Sequence, residues 1–83
     1  MKKLSFTSRA KKDLKKLDQE ANRAIFDKLQ RFCQGKVDAV ALVGTWNGWY
    51  KIRIGNYRAL LVKEKKEQWI VGYIRHRKEA YKN

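Results

Sequence analysis

The stretch that decides the fold is WYKIRIGNYRALLV, residues 49–62. A Gly55-Asn56 pair sits between two runs that alternate in type, which is the pattern of a tight β-hairpin. With those two residues as the loop, Ile54 pairs with Tyr57, Ile52 with Ala59 and Tyr50 with Leu61, so one face is wholly apolar or aromatic. The opposite face sets Lys51 beside Leu60 and Arg53 directly across from Arg58. Like charges opposed in a sheet destabilise it. The pair therefore needs a reason outside local folding.

Working outward, EKKE (64–67) reads as a charged four-residue turn and QWIVGYIR (68–75) as a further strand. That turn places Tyr73 opposite Arg58, with Trp69, Val71, Tyr73 and Arg75 on the charged outer face and Ile70, Gly72 and Ile74 on the core face. A slip of one residue would invert this last strand. Upstream, VDAVALVG (37–44) reads as a strand, and Thr45-Trp46-Asn47-Gly48 as a turn where Trp46 packs.

Before residue 36 the period is helical. KKLSF (2–6) is a short strand with Leu4 and Phe6 on one side, and Thr7 or Ser8 caps a helix running to about Leu17 on the stripe Ala10, Leu14, Leu17. Asp18 caps a second helix with Ala21, Ile25, Leu29 and Phe32 in line, widened by Phe26 and Cys33, and Gly35 ends it. The expected fold is α+β: an N-terminal helical hairpin packed on one face of a small, mainly antiparallel four- to five-stranded sheet. At 83 residues the chain is expected to form a single domain spanning 1–83.

Lys plus Arg number 21 against 8 Asp plus Glu, a net charge of +13 with pI about 10.2. On so small a body that predicts a polyanionic partner. The excess is spread over both halves rather than confined to a tail. No apolar run approaches the roughly 20 residues of a membrane span, and none follows Met1-Lys2-Lys3 as in a secretory leader. A cytoplasmic protein with no membrane partner is expected. Cys33 is the sole cysteine, so it forms no internal disulfide and reads as a small core residue. The acidic residues are scattered among lysines, with no Cys/His metal spacing and no Gly-rich phosphate loop, so neither a metal nor any other cofactor is expected.

One face thus gathers Lys51, Arg53, Arg58 and Arg75, with Tyr73 beside them and His76, Arg77 and Tyr81 following. A solvated basic face is the ordinary explanation for such a cluster. Two features weigh against it. Arginine outnumbers lysine here although lysine dominates elsewhere, and its planar fork suits bidentate contact with phosphate. No carboxylate falls within the predicted patch, so an anion from outside would relieve its repulsion. Trp49 and Trp69, on the same outer face, are candidates to stack on bases or to be covered by a partner.

Taken together, LVG (42–44), YKIRIGNYRALL (50–61) and HRKEAY (76–81) resemble the RelE/ParE toxin superfamily, as does the helical hairpin before them. The joint presence of Gly-Asn-Tyr-Arg and His-Arg-x-x-x-Tyr carries the specificity. The resemblance implies a toxin of a type II toxin–antitoxin system. RelE-like members are ribosome-dependent, metal-independent endoribonucleases that cut mRNA in the A site and so inhibit translation. The RNA's own 2′-hydroxyl attacks the adjacent phosphate and leaves a 2′,3′-cyclic phosphate. The family's central cations fall on Lys51, Arg53 and Arg58, its C-terminal arginine on Arg75 or Arg77, and its tyrosine on Tyr81. Implied partners are a cognate antitoxin, ordinarily in a heterotetramer, and the ribosome with its mRNA.

The chemistry of these residues is compatible with that function. Fixed guanidinium groups stabilise phosphorane charge without a metal, and Arg58 and Arg75 sit centrally enough for it. Lys51 or Arg53 would orient the backbone, a lysine crowded by arginines also serving as base. Tyr81 would stack on a base or exchange a proton. Histidine is a common general acid–base residue, which suits His76 to such work, but alternation turns it away from Arg75 and Arg77, and packing is its competing role. Two other outcomes are a ParE-like toxin that inhibits gyrase and an inactive homologue that only binds RNA or antitoxin.

Overall fold

The computed structural model describes residues 1–79. Strand β1 (Lys3–Phe6) leads into helices α1 (Ser8–Lys15) and α2 (Gln19–Cys33), followed by β2 (Val40–Ala41), β3 (Trp49–Ile54), β4 (Tyr57–Lys65) and β5 (Gln68–His76). The five strands form one sheet in the order β1-β5-β4-β3-β2, antiparallel except where β1 runs parallel to β5. Two helices on one face of a mixed sheet make this an α+β fold, as the change of period at residue 36 predicts.

Local chemistry accounts for the helix starts. Thr7 caps α1, its hydroxyl oxygen accepting from the Ala10 N–H, and Asp18 caps α2 by accepting from the Ala21 N–H. Asn22 holds the two helices together, its amide donating to the Leu14 and Leu17 carbonyls at 2.9 and 3.1 Å. The buried stripe is Ala10 and Leu14 on α1 with Ile25, Leu29 and Phe32 on α2. It meets Ile52, Ile54, Ala59, Leu61, Trp69, Val71 and Ile74 from the sheet. Burying one such large side chain stabilises by about 1.5–3 kcal/mol. Phe26 does not join them: it is 49% exposed and stands beside the Phe6 ring, 5.8 Å away.

The β3–β4 hairpin has the expected register: Ile54 with Tyr57, Ile52 with Ala59, Tyr50 with Leu61 and Arg53 with Arg58. Gly55 takes φ +58°, whereas its loop partner Asn56 keeps a negative φ. This places the left-handed residue at the first loop position, where only glycine is comfortable. The predicted strand over 37–44 shrinks to Val40–Ala41, because the chain leaves the sheet after Leu42 donates to the Trp49 carbonyl and enters a 3₁₀ turn at Gly44–Trp46.

The β4–β5 register differs from expectation in an orderly way. The turn is the two residues Lys66-Glu67 rather than four, and two compensating bulges follow. Glu64 is the extra residue on β4, and Gly72 is the extra residue on β5 between the pairs Leu61–Val71 and Leu60–Tyr73. Between the bulges the facing is inverted. Trp69 and Val71 therefore lie in the core at 7% and 0% exposure, not on the outer face, and Ile70 pairs with outward Val62. Beyond Gly72 the predicted facing returns: Tyr73 and Arg75 point outward and Ile74 inward.

Strand β1 ends at Phe6, and among the described residues no strand continues its pairing along the edge of β5 beyond Val71. Side chains of α1 and its cap take over. The Thr7 hydroxyl donates to the Gly72 carbonyl at 2.8 Å, and Asp13 Oδ2 accepts the Ile74 N–H at 3.0 Å. Backbone groups facing an uncovered edge need such partners. The result seats α1 along the part of β5 that carries Tyr73 and Arg75.

Candidate functional site

The face turned away from the helices is organised in rows. Arg53, Arg58 and Arg75 stand opposite one another on β3, β4 and β5. The next row is Lys51, Leu60 and Tyr73, and the one after it Trp49, Val62 and Ile70. The two-residue turn sets the register that puts Arg75, rather than Tyr73, opposite Arg58, and the Gly72 bulge restores that register after the extra residue Glu64 has shifted it by one. Three arginines in register are a stronger concentration of charge than the sequence pattern alone predicts.

Each cation is held differently. Arg58 turns back on its own hairpin, with Nη1 donating to the Tyr57 and Gly55 carbonyls at 2.9 and 3.2 Å. Its guanidinium has further N–H groups to offer. Arg75 lies over the Tyr73 ring, 4.3 Å from the centroid, and 5.7 Å from the centroid of Trp46. Lys51 and Arg53 line a cleft of about 320 Å³ with Lys28 and Asp38. Asp38 thus brings one carboxylate to the margin of the patch, where sequence spacing indicated none.

Beside the arginines stands an aromatic trio. Trp46 meets Trp49 edge to face at 5.2 Å and Tyr73 at 6.0 Å, and Trp49 lies 5.6 Å from Tyr73. Trp46 belongs to this cluster rather than to simple turn packing. Arg9, which no sequence signal singled out, reaches from α1 to within 5.8 Å of the Tyr73 centroid. Its Nε pairs with Asp13 Oδ1 at 3.1 Å, on the carboxylate that also holds the Ile74 N–H.

His76 lies on the helix side, as alternation predicts. Its ring stands edge to face with Tyr57 at 5.6 Å, and its Nδ1 accepts the Lys78 N–H at 3.3 Å. It lines a cleft of about 490 Å³ with Arg9, Asp13 and Lys16, and Arg75 reaches the same cleft. The structure does not bring His76 together with Lys51, Arg53 and Arg58. Arg77 is exposed just past β5, its backbone N–H donating to the Asn56 carbonyl at 2.7 Å. Tyr81 lies outside the described residues. Cys33 is half-buried at the end of α2, and burial pushes its thiol pKa up.

A family model described as the ParE toxin of type II toxin–antitoxin system, parDE, matches residues 4–81. The chain belongs to that family. It lies within the wider RelE/ParE superfamily that the Gly-Asn-Tyr-Arg and His-Arg-x-x-x-Tyr strings indicate. Solved structures repeat the fold over nearly the whole chain. A copper-bound mutant toxin from Helicobacter pylori superposes with a TM-score of 0.75 at 17% identity, covering 98% of this chain and 100% of its own. The toxin–antitoxin complex RelBE2 from Mycobacterium tuberculosis gives 0.71 at 22% identity, over 88% of this chain and 94% of that one. The YoeB–YefM complex from Staphylococcus aureus gives 0.71 at 14% identity, over 92% and 97%. No curated protein sequence matches significantly. Among the described residues no helix is long and apolar enough to cross a membrane.

Proposed function

We propose that this type II toxin is a ribosome-dependent endoribonuclease that cuts mRNA in the A site and thereby inhibits translation. The observation that carries the proposal is the row Arg53–Arg58–Arg75, with Lys51 one step along, on the sheet face that the helices leave open. A row of like charges is disfavoured in a sheet unless something outside it supplies the counter-charge. A phosphodiester does so, and guanidinium groups match its geometry.

In the reaction the 2′-oxygen forms a bond to the adjacent phosphorus as the bond to the 5′-oxygen breaks. The 2′-hydroxyl proton passes to a base, and the departing 5′-oxygen gains a proton. Charge builds on the non-bridging oxygens, where Arg58 and Arg75 stabilise it. Lys51 and Arg53 hold the RNA backbone, and Lys51, one row along from the arginines, serves as base. Arg77 and Tyr81 belong to the segment that meets the RNA after β5. His76 is assigned no step, because it lies across the sheet from Lys51, Arg53 and Arg58, although it shares a cleft with Arg75. No metal takes part in this scheme.

The partner that restrains the toxin is a cognate antitoxin, assembled with it as a heterotetramer. Support comes from the related folds solved as toxin–antitoxin complexes, RelBE2 and YoeB–YefM among them. A second function, inhibition of gyrase by binding, is favoured by one observation, the parDE description of the matching family. Primer extension on a defined mRNA with translating ribosomes decides between them. Breaks in the A-site codon are the expected result. Intact mRNA together with gyrase-linked DNA breaks in cells would establish the second function and refute the first.

A further inference from the structure

The guanidinium of Arg75 sits in a corner. Tyr73 lies 4.3 Å from it and Trp46 lies 5.7 Å from it, and these two rings stand at 87° to each other. Trp49 backs both rings, at 5.2 Å from Trp46 and 5.6 Å from Tyr73. Neither Trp46 nor Tyr73 packs into the core between sheet and helices. Irregular backbone puts them in place: the 3₁₀ turn Gly44–Trp46 carries one, and the Gly72 bulge turns the other outward. Helix α1 also reaches the Tyr73 ring through Arg9, 5.8 Å from its centroid and itself paired with Asp13.

We propose that Trp46 and Tyr73 are positioning residues that hold the Arg75 guanidinium in the orientation in which it meets the scissile phosphate, and that they act on cleavage only through it. This rests on the ribonuclease function proposed above. An arginine side chain is long and mobile, and a catalytic cation works best when its orientation is settled before the substrate arrives. Aromatic faces attract a guanidinium and restrict its plane, so two perpendicular rings fix it in two directions. The competing role for aromatics beside an RNA site is base stacking, which strengthens binding rather than the chemical step.

The test uses the full chain with Trp46→Leu, Trp46→Phe, Tyr73→Leu and Tyr73→Phe, each checked for folding by its thermal transition. In ¹H–¹⁵N spectra the Arg75 Nε–H of the wild type is expected to be displaced upfield by the ring currents. Tyr73→Leu should abolish that displacement and Tyr73→Phe should keep it. With translating ribosomes, both Leu variants should lose maximal cleavage rate by about 10²-fold at an unchanged half-saturating ribosome concentration. The Phe variants should keep the wild-type rate, and Trp46→Leu should add nothing to the loss caused by Arg75→Ala. An undisplaced Arg75 resonance overturns the proposal. So do Leu variants that cut at the wild-type rate, that raise only the half-saturating concentration, or that compound the loss of Arg75→Ala. A wild-type protein that leaves ribosome-bound mRNA whole refutes the ribonuclease function itself, whatever the spectra show. A wild type that cuts while the Leu variants cut equally well refutes the positioning role alone.

Discussion

Adding one methyl group at Gly72 tests the geometry of the outer face. A Cβ built there would stand 2.7 Å from both Cη2 and Cζ3 of Trp49, against 3.4–4 Å for ordinary contact. The backbone of Gly72 is not left-handed, so the ring is the main obstacle. Two effects oppose each other in Gly72→Ala. Replacing glycine at a compatible backbone position stabilises by about 0.4–1 kcal/mol, through the unfolded chain. Forcing a packed group aside costs about 1–3 kcal/mol. The clash should win, because Trp49 is itself packed against Trp46 and Tyr73 and cannot withdraw without disturbing both.

The expected net loss is about 1–2 kcal/mol, which lowers Tm by about 4–16 °C in a domain of this size. Circular dichroism melts and urea titrations measure it. The decisive comparison is the same substitution in a Trp49→Ala background, where the obstacle is gone and Gly72→Ala should be neutral or mildly stabilising. An equal destabilisation in both backgrounds would refute the reasoning. So would a stabilised Gly72→Ala in the wild-type background.

Arg58→Ala and Arg75→Ala should each reduce ribosome-dependent cleavage by at least about 10²-fold and abolish growth inhibition while the protein still folds; two fully toxic variants would rule out the arginine row as the active site. Asp13→Ala should destabilise by about 1–3 kcal/mol, since it strips the Ile74 N–H of its acceptor and frees Arg9; an unchanged urea midpoint would contradict that. Cys33 should alkylate more slowly in the folded protein than in urea at pH 8, because burial raises its thiol pKa and less thiolate is present. The sign for stability follows from the same shift. A raised acid pKa contributes stability that is fully present below the unfolded thiol pKa and fades as pH rises past it. Alkylation of the folded protein as fast as the unfolded one would reverse this account.

The hairpin at residues 49–62 was legible because its evidence is local. A two-residue loop with glycine first, flanked by paired apolar residues, admits one register, and that register alone brings Arg53 against Arg58. The helical hairpin was legible for a similar reason, its caps and stripes being short-range patterns. The β4–β5 pairing was not. Glu64 and Gly72 each insert one residue into a different strand, and a bulge is settled by what packs on either side, not by alternation within the strand. Gly72, the one glycine inside a strand, was the available signal, since an isolated strand glycine marks a bulge or a close approach. Trp69 shows the cost of missing it: its period placed it outside, whereas it lies among Phe32 and Tyr50 in the core. Arg9 was illegible altogether, because its nearness to Tyr73 depends on β1 stopping short of the end of β5.

The length of the β4–β5 turn also bears on why the arginine row exists. With β4 and β5 paired as the simple turn predicts, Tyr73 would oppose Arg58 and the charges would be diluted by an aromatic ring. The observed register instead sets Arg75 opposite Arg58, the less favourable arrangement for the sheet by itself. In water, two like unit charges a few ångströms apart cost on the order of 1 kcal/mol before salt screening. Among the described contacts, several compensate on the protein's side, the Asp38 carboxylate in the cleft with Lys51 and Arg53 being one. Trp46 and Tyr73 draw the Arg75 guanidinium toward their faces, and the Tyr57 and Gly55 carbonyls draw Arg58 toward the turn. Rings and carbonyls carry no net charge, so these particular contacts lower the cost of the row without neutralising it. A face meant only for solubility gains nothing from guanidinium groups fixed in this way; a face that must receive a phosphate as its charge develops does.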